Sequence, residues 1–216
     1  MQKSSQALSP RLTIPVLAIL ALVLVWLLPE EQTIDWVIRL VFLHGALVQA
    51  GLILFAGAGL LGLLYLVRRR PGVYGWLVAF QQAAVILWVV YEISSMAVTY
   101  LSWGEWIAWN EPRVQASFHV LWFSVVSLVL TWWVGNRTFT ALANLVVAAM
   151  AWFLVKGATI FRHPFNPIGA SGSSLYQWLF PVLLIVVLLL GFEVARLLHI
   201  IGERHLATSG QSVTTP

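Results

Sequence analysis

The chain has 216 residues, of which 60% are hydrophobic and only 9% are charged, and its mean hydropathy is +0.88. Soluble domains carry roughly 25% charged residues, so this composition excludes a water-soluble fold and leaves no separate soluble domain. Because the chain has no Cys, it cannot form disulfides, thiolate metal sites or covalent haem attachments through its own thiols. The net charge of +4 resides mainly at the ends of the apolar segments, which indicates membrane topology and not nucleic-acid binding.

Six apolar segments follow one another along the chain, each close to the roughly 20 residues that cross a hydrocarbon core of about 30 Å. Lipid offers the backbone no hydrogen-bond partner, and the segments lack the alternation of barrel strands, so we predict helices. The first segment follows basic residues, but Pro29, Glu30 and Glu31 after it do not form a small-residue cleavage site, so we interpret it as an uncleaved helix. The predicted spans are 13–28, 37–67, 74–101, 114–134, 139–160 and 175–199.

The basic residues predict the orientation of these spans. One face carries Lys3, Arg11, Arg68, Arg69, Arg70, Arg137, Arg196 and Arg204, whereas the other carries only Arg39, Arg113 and Arg162. By the positive-inside rule both termini are cytoplasmic, and the long connections 29–36, 102–113 and 161–174 lie outside. We therefore expect an all-α integral membrane protein, with one six-helix domain over residues 1–206 and a short disordered cytoplasmic tail over 207–216.

The predicted outer loop 102–113 has an unusual composition. Trp103, Trp106 and Trp109 recur every three residues, with Gly104 and acidic residues among them. At helical spacing the three indoles would form one amphipathic shelf lying in the membrane interface. The alternative is an ordinary aromatic belt, because Trp favours the headgroup region of many membrane proteins.

Two histidines fall on the same predicted side as this loop. His44 lies about two turns into the second span, and His163 lies in the last outer loop. Neutral imidazole is a common axial ligand of haem iron, so the pair can close on opposite faces of a porphyrin. Arginine forks match carboxylates, and the three outer arginines are candidate partners for the haem propionates: Arg39, Arg113 and Arg162. The alternatives are an interhelical hydrogen bond for His44 and a solvated loop residue for His163.

Three further ionisable residues fall within predicted spans. Glu92 and Lys156 both lie in the outer halves of their helices, and we predict that they form an internal ion pair. His119, in the fourth span, either serves the site from beneath or bonds a neighbouring helix. A transporter or channel that uses these three residues as a polar pathway is an alternative function.

The Trp-rich loop resembles the segment that names the WWD-domain family, the haem-handling membrane proteins of cytochrome c biogenesis. The family pattern is Trp-Gly-x-x-Trp-x-Trp-Asp, and the residues similar to it are Trp103, Gly104, Trp106, Trp109 and Asn110. His44 and His163 are similar to the family's two flanking histidines. Within the family, the chain is most similar to the six-helix haem exporter C proteins.

The resemblance implies that His44 and His163 ligate a non-covalent, exchangeable haem b and that the Trp segment contacts the porphyrin. It further implies a non-catalytic role in the cytoplasmic membrane of a prokaryote. There the haem is presented to a haem chaperone or an apocytochrome, together with other membrane subunits of cytochrome c maturation. A fixed haem-bearing subunit of a respiratory or photosynthetic complex is an alternative function.

The chain departs from the family pattern at three points. Asn110 stands in the position of the terminal Asp, Pro112 comes one position late, and the central double Trp is reduced to Trp106-Ile107. Glu111 offers a carboxylate in place of the missing Asp, or the site does without one.

Overall fold

The structure is a computed structural model that describes residues 9–162, 168 and 172–211, with side chains described as far as residue 205. The described residues form six helices and no strand. The helices are α1 (Pro10–Trp26), α2 (Val37–Arg68), α3 (Pro71–Trp103), α4 (Pro112–Val134), α5 (Arg137–Gly157) and α6 (Ser174–Gln211). The first five agree with the predicted spans to within three residues at each end, and the prediction of a helical bundle is confirmed.

Local signals explain where the helices begin and end. Pro71 and Pro112 each occupy a first helical position, where the missing N–H costs nothing. Gly104 and Gly135 end α3 and α4 in the left-handed conformation, with φ of +78° and +63°. Asn136 caps α5, because its side chain accepts hydrogen bonds from two backbone N–H groups of the first turn, at 2.9 and 3.0 Å.

Five of the helices, α2 to α6, are long and apolar enough to cross a membrane. The first helix has 17 residues and rises about 26 Å, slightly less than a hydrocarbon core of about 30 Å. It packs along α6, where the Thr13 hydroxyl donates to the carboxylate of Glu193 at 2.6 Å. At its far end α6 continues through Gln211, so residues 207–211 are helical and not the disordered tail that we predicted. Residues 212–216 lie outside the described residues.

The central helix is α2, which packs against α3, α5 and α6. Two of its glycines permit the close approach of α5. A Cβ on Gly59 would lie 2.7 Å from the Cβ of Ala148, and one on Gly62 would lie 2.7 Å from the carbonyl oxygen of Ala141. Contacts this short exclude any side chain at Gly62, because the opposing atom belongs to the backbone.

The alternating helices give the bundle two distinct ends. The loop end carries the connections 27–36, 104–111 and 158–173, and the terminal end carries the start of α1, the two short turns 69–70 and 135–136, and the end of α6. The predicted haem-site residues within the described part of the chain all belong to the loop end or to the half of the bundle beneath it. His163 lies outside the described residues.

Candidate functional site

The Trp-rich segment does not form the predicted helical shelf. Trp103 is the last residue of α3, and Gly104 then takes a left-handed backbone conformation that ends the helix. Residues 104–111, which we call the Trp loop, are not helical, and α4 begins at Pro112. Because the three-residue spacing places side chains on one face only within a helix, the three indoles do not form a helical shelf. The prediction of a shelf is wrong.

The two indoles of the Trp loop pack separately against the ends of the neighbouring helices. Trp106 stacks on Tyr100 of α3, with ring centroids 4.4 Å apart and planes 12° apart. Trp109 lies against Phe118 of α4, with centroids 5.0 Å apart. Trp106 nevertheless remains 57% exposed and Trp109 55% exposed. The loop end therefore presents two half-exposed aromatic surfaces, each held by a ring beneath it.

Arg162 ties the segment after α5 to the Trp loop. Its guanidinium forms an ion pair with Glu105 and donates from Nη2 to the Asn110 side-chain oxygen at 2.8 Å. The same group lies over the Trp103 ring, 5.1 Å from the centroid. A planar guanidinium can bond two acceptors and stack on an indole at the same time, which a lysine ammonium cannot do. Both terminal nitrogens are therefore engaged with side chains of this chain.

Glu111 forms a second link between the same two segments. It is 1% exposed, and its carboxylate accepts from the Phe161 N–H at 3.2 Å and from the Arg162 N–H at 3.1 Å. It precedes α4 as the N-cap residue, but its side chain does not cap that helix. The buried carboxylate instead orders the backbone after α5, only one residue before His163.

The third loop, residues 27–36, is also ordered by carboxylates and an arginine. Glu31 accepts from the backbone N–H groups of Thr33 at 2.8 Å and Ile34 at 3.0 Å, and these bonds lower the pKa of its carboxyl below the usual value. Arg39 donates from Nε to the Leu28 carbonyl at 3.0 Å and lies 3.9 Å from a carboxylate oxygen of Glu30. Arg39 therefore holds this loop in place, as Arg162 holds the Trp loop. Both arginines are bound by groups of their own chain.

His44 lies below these loops, seven residues and about 10 Å into α2. It is half-buried, and its ring lies 5.0 Å from the ring of Tyr91 in α3. Ile168, from the connection between α5 and α6, comes within 4.0 Å of a Cβ built on the adjacent Gly45. Ile168 therefore lies close to α2, next to the residue that follows His44.

The remaining predicted residues have different surroundings. Lys156 donates to the side-chain oxygen of Gln49 at 3.3 Å, and the ion pairs of the described residues do not include one between Lys156 and Glu92. That predicted pair is therefore wrong. The Arg113 guanidinium is directed at the Val155 carbonyl, 3.4 Å away. His119 is exposed on the outer surface of α4, so it does not support the site from beneath.

Sequence reasoning missed the rings that hold the Trp loop and the role of Glu111. The signal for Tyr100 was present, because a glycine at a helix end predicts a left-handed residue that turns the chain back on the last helical turn. Nothing local could predict that Glu111 and Arg162, 51 residues apart, bond to each other's segments. That contact depends on the packing of α4 against α5.

The described helices form a bundle of the membrane-spanning type. At its loop end Trp106 and Trp109 are half-exposed, and Arg162 and Glu111 hold the Trp loop against the segment after α5. A comparison with protein-family models and with curated protein sequences finds no match.

Proposed function

We propose that the protein holds haem b at the loop end of the bundle and presents it for transfer during the maturation of c-type cytochromes. The observation that carries this proposal is the double link between the Trp loop and the segment that leads into His163. Arg162 bonds Glu105 and Asn110, and Glu111 bonds the backbone at Phe161 and Arg162. Two parts of the proposed site, far apart in sequence, are thereby joined at the same end of the bundle as His44.

The residues at this end fit haem in their chemistry. Haem b supplies an iron with two axial positions, a flat apolar ring and two carboxylates. The imidazole of His44 would take one axial position and His163 the other, while the exposed faces of Trp106 and Trp109 would contact the ring. Because the loop is braced before any ligand enters, little ordering entropy opposes binding.

The two arginines that could bind the haem propionates, Arg39 and Arg162, already bind acceptors of their own chain. Arg162 is engaged with Glu105 and Asn110, and Arg39 is engaged with the Leu28 carbonyl and Glu30. A propionate that binds either guanidinium must displace one of these acceptors. Such competition keeps the net gain small, which suits a site that hands its ligand over.

Asn110 in place of the family Asp is compatible with this role. Its side-chain oxygen already accepts from Arg162 at 2.8 Å, so the contact survives without a charge at this position. Glu105 and Glu111 supply carboxylates to the same segment. The Asn therefore changes the strength of the brace and leaves its geometry intact.

The orientation belongs to the same proposal. Most basic residues flank the terminal end, so we assign that end to the cytoplasm and the loop end to the outer face of a prokaryotic cytoplasmic membrane. In this arrangement α1 is a sixth span and both termini are cytoplasmic. Haem at the outer face would be accessible to a haem chaperone or an apocytochrome and to other membrane subunits of the maturation system. The role is non-catalytic, because holding and releasing haem breaks no bond in a substrate.

The absorption spectrum of protein purified with supplied haem tests the proposal. We expect a Soret band that is weakened or shifted in His44→Ala and in His163→Ala. His119→Ala is the matched control, because His119 is exposed on the outer surface of α4, and it should keep the wild-type spectrum. A Soret band that neither His44→Ala nor His163→Ala changes would contradict the site, and the absence of bound haem in the wild type would contradict the function.

A second measurement separates a haem handler from a fixed electron carrier. When haem-loaded protein is mixed with a soluble apo-globin, a handler transfers its haem and the globin spectrum appears. A permanent cytochrome, with both ligands buried, retains it. Retention over hours would favour the fixed subunit over the transfer role.

A further inference from the structure

Two apolar grooves lie side by side on α2, in the half of this helix towards the terminal end. The first has a volume of about 320 Å³, and its lining comes from α2, α3 and α6: Gly57, Leu60, Leu61, Trp76, Phe80 and Phe192. The second has a volume of about 380 Å³ and lies between α2 and α5, with Leu60 again in its lining together with Ala56, Ala149 and Trp152. Both volumes fall within the range of small-molecule sites, roughly 300–1,000 Å³.

Leu60 separates the two grooves, because it lines both of them. It is exposed, and so is Val67, which lies seven residues further along the same face of α2. The two side chains form an exposed apolar ridge that leads from the grooves to Arg68, the last residue of the helix. A ligand with two apolar chains fits this surface, one chain on each side of the ridge.

Four arginines meet at the terminal end of the helices that line the grooves. Arg68 ends α2, Arg69 and Arg70 form the turn to α3, and Arg137 begins α5. Arg69 donates to the Thr138 hydroxyl at 2.6 Å and lies 5.7 Å from the centroid of the Tyr65 ring. Arg137 lies 5.3 Å from the centroid of the Tyr74 ring. These contacts join the ends of α2, α3 and α5, so the four arginines form one cluster.

The neighbouring helices do not neutralise this arginine cluster. α2, α4 and α5 contain no acidic residue, and the single acid of α3, Glu92, lies in the half of that helix towards the loop end. α6 has two acids, and each of them bonds a basic residue of α6 itself. Arg68 and Arg70 are exposed and form no ion pair within the described part of the chain. The cluster therefore offers its charge to an anion from outside the chain.

The separation of the arginine cluster from the grooves matches the dimensions of a membrane lipid. Leu60 lies eight residues, or about 12 Å, along α2 from Arg68, and Trp76 lies six residues, or about 9 Å, along α3 from Arg70. The chains of one leaflet fill half of a hydrocarbon core of about 30 Å. When the arginines lie at the level of the headgroups, the grooves therefore lie at the level of the acyl chains.

We propose that the arginine cluster and the two grooves together bind one anionic diacyl phospholipid. Its phosphate contacts Arg68 and Arg70, since guanidinium groups match phosphate oxygens and basic pockets between transmembrane helices bind anionic headgroups. Its two chains lie on either side of Leu60. The ligand is a lipid and not a soluble phosphate, because a soluble anion would use the arginines and leave both grooves unoccupied. This site lies at the opposite end of the bundle from the proposed haem site and does not depend on it.

Native mass spectrometry of the complete protein tests the headgroup contact. The protein is released from micelles that contain equal amounts of phosphatidylglycerol and phosphatidylcholine with identical chains, and one phosphatidylglycerol should remain bound. Changing Arg68→Gln and Arg70→Gln together should weaken its binding about thirtyfold, roughly fivefold for each arginine. Arg11→Gln is the matched control, because Arg11 is an exposed arginine at the same end on α1, which lines neither groove. Equal binding of the two lipids to the wild type overturns the proposal.

Lysophosphatidylglycerol, which has the same headgroup but one chain, tests the two grooves. It should bind at least about tenfold more weakly than the diacyl lipid, because one chain no longer covers apolar surface. Ala149→Phe fills the second groove from an exposed position and should weaken the diacyl lipid alone. Val146→Phe is the matched control, since Val146 is exposed on the same helix and lines neither groove. Equal affinity for the two lipids, or an Ala149→Phe variant that binds like Val146→Phe, overturns the assignment of two chains to two grooves.

Discussion

Removal of the Glu111 carboxylate should unlock the Trp loop from the segment after α5. The side chain is 1% exposed and accepts from two backbone N–H groups, those of Phe161 and Arg162. A hydrogen bond to a charged acceptor contributes about 1.5–3 kcal/mol, and the lower value applies here because the loop end lies near water. Because Glu111→Ala loses both of these hydrogen bonds, we expect it to lower the free energy of unfolding by about 3 kcal/mol in total. At 2–4 °C per kcal/mol for a chain of this size, the melting temperature falls by roughly 6–12 °C.

Glu111→Gln should have about half of this effect, because the amide retains one acceptor oxygen and loses the charge. The assay is thermal unfolding in detergent, combined with hydrogen exchange of the Phe161 and Arg162 amides, which should accelerate in both variants. Glu30→Gln is the control, because its ion pair with Arg39 is long and exposed and should contribute less than about 1 kcal/mol. If Glu111→Ala melts and exchanges like this control, the carboxylate does not order the segment and the reasoning fails.

Three further predictions concern packing, the guanidinium brace and pH. Gly62→Ala should destabilise the bundle by about 2 kcal/mol, because the added methyl meets a backbone carbonyl at 2.7 Å. Gly72→Ala is the control, because a Cβ at Gly72 has open space and should cost nothing. Equal melting temperatures of the two variants would refute the close contact between α2 and α5. Arg162→Lys should lose at least one of the two contacts to Glu105 and Asn110, so limited proteolysis should cut the Trp loop faster than in the wild type. An unchanged cleavage rate would argue against the role of Arg162 in holding the loop. Because Glu31 has a lowered pKa in the folded protein, its stabilisation is present above about pH 4.5 and is lost as the pH falls through the folded pKa. The Thr33 amide shift should report this loss by NMR, and the response should be absent in Glu31→Gln.

The helices themselves follow closely from the sequence. The apolar runs predict their positions to within three residues for α1 to α5, and the structure adds that Pro71 and Pro112 begin α3 and α4 while Gly104 and Gly135 end them. Hydropathy and helix termination are local properties, so a single sequence contains them. The end of α6 is the exception, since polar residues near 207 were compatible with a tail and the structure continues the helix to Gln211.

The candidate site was predicted less completely. The grouping of the Trp loop, His44 and the outer arginines at one end follows from the alternation of spans, because each span reverses the direction of the chain. The loop's conformation does not follow, because the spacing of its Trp residues suggested a helix that Gly104 prevents. The partners of Arg162 and Glu111 were also beyond the sequence, since they lie more than 45 residues away.

The sequence alone therefore determined that this chain is an all-α protein with long apolar helices, and which residues lie at each end of the bundle. Tertiary structure alone decided which side chains meet. Lys156 bonds Gln49 and not Glu92, and Trp106 stacks on Tyr100. The physical reason is helix rotation: residues at the same depth contact each other only if their helices turn those faces together, and that rotation results from the packing of the whole bundle.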